Sequence, residues 1–226
     1  MIEQVRLRDG TEAFVLPLQR TDKATLAAEF EKLAPESRRR RFLTPVMHLS
    51  EAMLEHLVDD VDGIDHVALV LCVETGPDVY DPVALARMVR YCDDPSTADL
   101  AVTVKDAWQG RGVATALLEL LVRERPAGVE RIATDVFHDN QASLRMLLRL
   151  GDATVDDLGT GVSSVVVELP PLEASAPRVR DVDVPAPTDV DGVEPAALGE
   201  VRAPVLHSRS RTHVLHARDR VCDWFR

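Results

Sequence analysis

Asp99-Leu-Ala-Val-Thr-Val104, Lys105-Asp-Ala-Trp108, Gln109-Gly-Arg-Gly-Val-Ala114 is the run that decides the fold. Its first six residues are apolar or β-branched enough to read as a strand. A polar elbow follows, then a glycine-bearing turn, then the apolar periodic run Ala116 to Val122, which reads as a helix. A turn that carries a strand into a helix is an anion site on physical grounds. The first helical amides have no intrahelical acceptor, and the helix dipole adds partial positive charge there. Gly110 and Gly112 let the backbone come close to a bulky anion and take φ > 0 where needed. A phosphate or pyrophosphate is the natural occupant.

Three phosphate-binding loops compete for this turn. The Walker A loop needs a Gly-Lys-Ser/Thr ending, and the turn has none. The dinucleotide fingerprint G-x-G-x-x-G begins well at Gly110 and Gly112 but ends on Thr115, too large for close helix–strand packing. The pattern Q/R-x-x-G-x-G/A is met at every fixed position by Gln109, Gly112 and Ala114. Downstream come a second strand, Arg131 to Val136, and the segment Asn140-Gln-Ala-Ser-Leu-Arg-Met-Leu-Leu-Arg-Leu-Gly151. Together these resemble the acetyl-CoA-binding region of the GCN5-related N-acetyltransferase (GNAT) superfamily. The likeness is clearest from Asp99 to Gly151 and extends in layout over about the first 170 residues.

Working outward, Ala13 to Leu18 reads as a first strand. Thr21 or Asp22 is placed to cap a helix to about Leu33, with Leu26, Phe30 and Leu33 at helical spacing. Glu36-Ser-Arg-Arg-Arg-Arg-Phe-Leu43 has two readings: a solvated connector docked by Phe42 and Leu43, or a cationic rim for substrate or CoA. Ser50 caps a short helix with Met53, Leu54, Leu57 and Val58 as its buried stripe. Strands follow at His66 to Val73 and Pro82 to Val89, with turns at Thr75–Asp78 and Asp93–Ser96. After Asn140 caps its helix, Gly151 reads as the C-cap. A last hairpin runs through Val155 and Val162 to Leu169, turning at Leu158–Gly161. The expected fold is α/β (α+β): a mixed, twisted sheet of about six to seven strands with helices on both faces.

Residues 1–170 therefore read as the acyl-CoA-binding domain. Residues 171–200 have the composition of a disordered linker, with two arginines against seven acids. Residues 201–226 reverse sign, with six arginines against two acids, and read as a basic tail. His213-x-x-His216 in that tail lacks a partner at ligand spacing, so no metal is expected. A net charge of −12 argues against nucleic acid. No apolar run approaches the ~20 residues needed to span a membrane, and Met-Ile-Glu-Gln-Val-Arg lacks a signal-peptide core. Cys72, Cys92 and Cys222 form no motif. Cys72 and Cys92 read as buried strand residues, and a cytoplasmic monomer or homodimer is expected.

The resemblance implies roles for residues. Backbone at Leu100 to Val104 would face pantetheine, with Val102, Thr103 and Val104 as cofactor contacts. Gln109, Gly110, Arg111, Gly112, Val113, Ala114 and Thr115 would cradle the pyrophosphate, chiefly through their amides, and Arg111 could pair with a phosphate. Asn140 resembles the asparagine that meets pantetheine or its attached water, and Ser143 lies one helical turn on. Asp99 matches a position where members that acetylate protein lysines carry a glutamate, which makes it the candidate base. His138 and Asp139 are the fallbacks. A tyrosine that commonly serves as general acid is replaced by Leu147, and Asp152 stands where an aromatic often follows the glycine. The implied activity is acetyl transfer from acetyl-CoA, as co-substrate, to a primary amine (a small molecule or a protein lysine) through a ternary complex. The alternative is a CoA-binding interaction module that has lost catalysis.

Overall fold

The computed structural model describes residues 2–77 and 79–172. Its strands are β1 (Glu3–Arg6), β2 (Glu12–Pro17), β3 (His66–Gly76), β4 (Val79–Arg90), β5 (Thr97–Val104), β6 (Arg131–Phe137), β7 (Asp152–Asp157) and β8 (Val162–Glu168). Its helices are α1 (Lys23–Lys32), α2 (Pro35–Phe42), α3 (Glu51–Leu54, continued by a π turn at Glu55–Asp59), α4 (Val113–Arg123) and α5 (Gln141–Leu147). The strands form one sheet in the order β1-β2-β3-β4-β5-β6-β8-β7. Every neighbouring pair is antiparallel except β5 and β6. The linker from residue 173 and the basic tail, with His213, His216 and Cys222, lie outside the described residues.

Alternation along the strands sorts side chains between two cores. Val67, Leu69, Leu71 and Val73 of β3 join Leu117, Leu118 and Leu121 of α4 on one face. Ala68 and Val70 join Leu57 and Val58 of the π turn on the other, with Phe42 of α2 against them. Each fully buried leucine of α4 contributes about 1.5–3 kcal/mol by leaving water. Helices thus cover both faces, as the sequence implies.

The described residues hold eight strands, one more than the upper expectation, and the addition is β1. Gly10, at φ +86°, and Asp9, whose Oδ1 accepts from the Thr11 amide at 3.0 Å, turn it onto β2. Three of the four β1 residues are polar, so no apolar alternation marks it. The arginine-rich segment is a helix rather than a connector. Pro35 opens α2. Asp106 of the polar elbow caps it from afar, accepting from the Ala34 amide at 2.9 Å and the Ser37 hydroxyl at 2.5 Å. Glu36 then pairs with Arg39 and Arg40 one turn on.

Other readings change in detail. α1 begins at Lys23 with Asp22, one of the two expected caps, at its N-cap position, but the Asp22 side chain makes no bond to the helix amides. Asp22 instead closes a 3-10 turn, its Oδ2 accepting from the Gln19 amide at 2.9 Å. Ser50 caps α3 as expected, accepting from the Met53 amide. Gly151 is not a left-handed C-cap: α5 ends at Leu147, and Gly151 is absent from the positive-φ glycines. A Cβ there would lie 1.9 Å from the Glu168 carbonyl oxygen, so glycine is required by the approach of β8. Cys72 is buried, whereas Cys92 is exposed because β4 ends two residues before it.

Candidate active site

The site begins with a parting of strands. β5 and β6 pair only at Thr97–Arg131 and Ala98–Ile132, then separate. The β4–β5 ladder fixes what faces the gap. The Tyr91 amide donates to the Thr97 carbonyl and the Lys105 amide to the Val83 carbonyl, so odd-numbered β5 residues bond to β4. The backbone groups of Leu100, Val102 and Val104 therefore point toward β6. The Leu100 carbonyl accepts from the Thr134 hydroxyl at 3.0 Å, and the Val104 carbonyl from Gln109 Nε2 at 3.2 Å. Val102 is left to present its amide and carbonyl to the opening.

One cavity, of about 360 Å³, lies over the glycine turn. Every expected cofactor residue lines it except Arg111. Arg111 turns away, bonds Asp9 at 2.6 Å and stacks on Trp108 at 4.0 Å. Gly112 sits at φ +88° as the N-cap of α4, and the Ala116 amide makes its bond back to the Gly112 carbonyl at 3.0 Å. The amides before it lack intrahelical acceptors. A Cβ on Gly112 would come within 2.9 Å of Arg8 Cγ, so a side chain there would displace Arg8 and be strained by the positive φ. Arg8, Arg40, Arg145 and Arg149 also line this cavity, and sequence reasoning did not name three of them. Arg145 and Arg149 stand four apart in the segment that the sequence reads as one helix, the signal available for finding them. This donor set, free amides ringed by guanidinium groups, suits a phosphorylated ligand.

A second cavity, of about 400 Å³, continues from the first and shares Arg40, Arg41, Val102, Asn140, Ser143 and Met146 with it. Asn140 is 8% exposed, caps α5 by accepting from the Ser143 amide at 3.3 Å, and faces both spaces. Asp99 lies in the second cavity. Burial pushes its carboxyl above the ordinary carboxylate value, against the pull of Arg41, the Thr134 hydroxyl, the Leu100 amide and Arg87. Leu147, 2% exposed, also lines it. His138 and Asp139 line neither cavity: His138 Nε2 pairs with Asp157 at 3.1 Å, and Asp139 lies 4.0 Å from Arg39. Arg41 was foreseen only as part of a cationic run, and Arg87 not at all. A lone arginine in the apolar strand Val83–Val89 was the signal for it.

Fold and cleft define the class: an α/β protein whose sheet opens at its parallel strand pair, over a glycine turn. Residues 33–152, more than half of the chain, match the acetyltransferase (GNAT) family, and the chain belongs to that family. It is 34% identical over 173 residues to Acetyltransferase Pat of Mycolicibacterium smegmatis, covering 75% of this chain and 49% of that protein. It is 28% identical over 116 residues to Acetyltransferase PA5475 of Pseudomonas aeruginosa, covering 51% of this chain and 61% of that protein. The chain thus spans less than two thirds of either relative. Among solved structures, the GNAT domain of S. lividans PAT matches at a TM-score of 0.65 and 29% identity, covering 74% of this chain and 97% of that one. Among the described residues, no helix is long and apolar enough to cross a membrane.

Proposed function

We propose that the chain is an N-acetyltransferase that moves an acetyl group from acetyl-CoA to a primary amine within a ternary complex. One observation carries this reading: the strand gap presents the Val102 backbone between a glycine turn suited to phosphate and a cavity holding Asp99. Pantetheine would lie along β5, with its amide groups bonded to Val102 and beside Asn140. The pyrophosphate would sit on the amides of residues 110–115, with Arg8, Arg145 and Arg149 around it. These residues belong to the 1–170 unit, to which the chemistry is assigned. Free Cys72 and Cys92 suit a reducing compartment such as the cytoplasm.

The chemistry follows from the acceptor. An alkyl ammonium has a pKa near 10.4, so at neutral pH about one part in a thousand is the nucleophilic free amine. Asp99, ionised, takes the proton directly or through one water. The amine nitrogen then attacks the thioester carbonyl carbon, and a β5 amide donates to the oxyanion. Collapse breaks the C–S bond and releases the CoA thiolate, and the nitrogen sheds its second proton to solvent to leave the neutral amide. With Leu147 where the tyrosine would stand, that thiolate takes its proton from solvent.

The test is Asp99→Asn. Removal of a general base costs about 10²–10⁴-fold in turnover, while acetyl-CoA binding remains within about twofold. Equal turnover by the variant would remove Asp99 from the mechanism. The second reading, a CoA-binding module without catalysis, is favoured by the apolar Leu147. It gains if acetyl-CoA binds and no amine in a broad panel, lysine peptides included, is acetylated.

A further inference from the structure

The arginines around the glycine turn divide into two groups by what they touch. Arg40 is matched by Glu36 at 2.8 Å. Arg41 stacks on Phe42 at 4.8 Å and feels the charge of Asp99. Arg111, turned away from the cavity, bonds Asp9 at 2.6 Å. Arg8, Arg145 and Arg149 line the same cavity and differ from these. Among the described residues, none of the three side chains makes a hydrogen bond, an ion pair or a ring contact. All three are exposed.

Their place in the cleft is set by which cavity they line. Val102, Asn140, Ser143 and Met146 line both cavities, so the thioester would lie beside them. Arg8, the glycine turn, Arg145 and Arg149 line only the first cavity, away from the reacting end. Arg8 belongs with the turn: a Cβ on Gly112 would meet its Cγ at 2.9 Å and its Cδ at 3.1 Å. Arg145 and Arg149 come instead from α5 and the turn that closes it, where the Arg149 amide donates to the Met146 carbonyl at 3.2 Å. A helix rises about 1.5 Å per residue, which sets Arg145 roughly 7 Å beyond Asn140 and Arg149 further on.

Acetyl-CoA brings two kinds of phosphate to such a cleft. Its pyrophosphate suits the amides of the turn, with Arg8 beside them. Its ribose carries a separate 3′-phosphate, a monoester with about −1.5 to −2 charges near neutral pH and three acceptor oxygens. Guanidinium forks meet such oxygens with paired, charge-assisted hydrogen bonds. We propose that Arg145 and Arg149 together bind the 3′-phosphate, and that through them the chain tells CoA from its 3′-dephospho form. This rests on the acetyl-CoA reading and adds the residues that read the nucleotide end. A single exposed ion pair contributes little, but two guanidinium groups on one doubly charged ester act together.

The experiment is calorimetric titration of the full chain with acetyl-CoA and with 3′-dephospho-acetyl-CoA, in one buffer of fixed salt concentration. Acetyl-CoA should bind about tenfold tighter or more. The double substitution Arg145→Gln with Arg149→Gln, checked for an unchanged melting temperature, should bring that ratio to within about twofold. Each single substitution should bring it part of the way. A charge-matched control, Arg6→Gln with Arg20→Gln, removes two arginines that line neither cavity and should leave the ratio as it is. The proposal is overturned if the natural chain binds both compounds alike. It is also overturned if the ratio survives the double substitution, or if the control lowers it as much. The two claims fail separately. Equal binding of both compounds removes the 3′-phosphate site and leaves the acetyl-CoA reading. Binding of neither removes the acetyl-CoA reading and this site with it.

Discussion

Asp99 owes its character to residues remote in sequence. Thr134 comes from β6, Arg41 from α2 and Arg87 from β4, and only their assembly gives the carboxyl a half-buried, cation-flanked place. Burial raises its pKa, so a base at this position ionises only above the ordinary value of 3.8. The sign follows: activity is present above the raised pKa and is lost as pH falls through it. The acid limb of kcat/KM is therefore expected above pH 3.8, and a limb at or below that value would contradict Asp99 as the base. The family resemblance made Asp99 a candidate, by its match to a glutamate position of members that acetylate protein lysines. It could not show that Arg87, one strand away, shares its cavity, because cross-strand register is a tertiary property.

At the scale of elements, the glycine turn and the helix after it were legible because their chemistry is local. Gly112, the N-cap, and the apolar stripe of α4 need only the next few residues to be understood. Elements whose cause is distant were harder. β1 is stabilised by pairing with β2 despite polar composition, and α2 starts where Asp106 reaches it across the fold. Gly151 is the clearest case: the residue was noticed, but its reason lies on β8. A methyl group there must displace a backbone carbonyl. Gly151→Ala is thus expected to destabilise the fold by about 1–3 kcal/mol, the usual cost of overpacking. Chemical denaturation measures this directly. An unchanged midpoint would mean that β7 and β8 separate freely at this point.

Across the whole molecule, charge is distributed against its average. The chain carries a net charge of −12, yet the cavity over the glycine turn is edged by Arg8, Arg40, Arg145 and Arg149. Such local concentration draws a polyanion to one place on an otherwise repelling surface. The order of elements in the sequence set out the sheet to within one strand, and all but one of the cofactor residues expected from it line the cleft. The arginines that edge it come from three separate segments and became visible only in three dimensions. We propose that this cleft is where acetyl-CoA binds. The most direct test is calorimetric titration of the full chain with acetyl-CoA, beside Gly112→Trp, whose side chain must collide with Arg8 and fill the turn. Saturable one-to-one binding by the natural chain and none by a folded Gly112→Trp is the expected result. Binding by neither, or equal binding by both, would contradict the account.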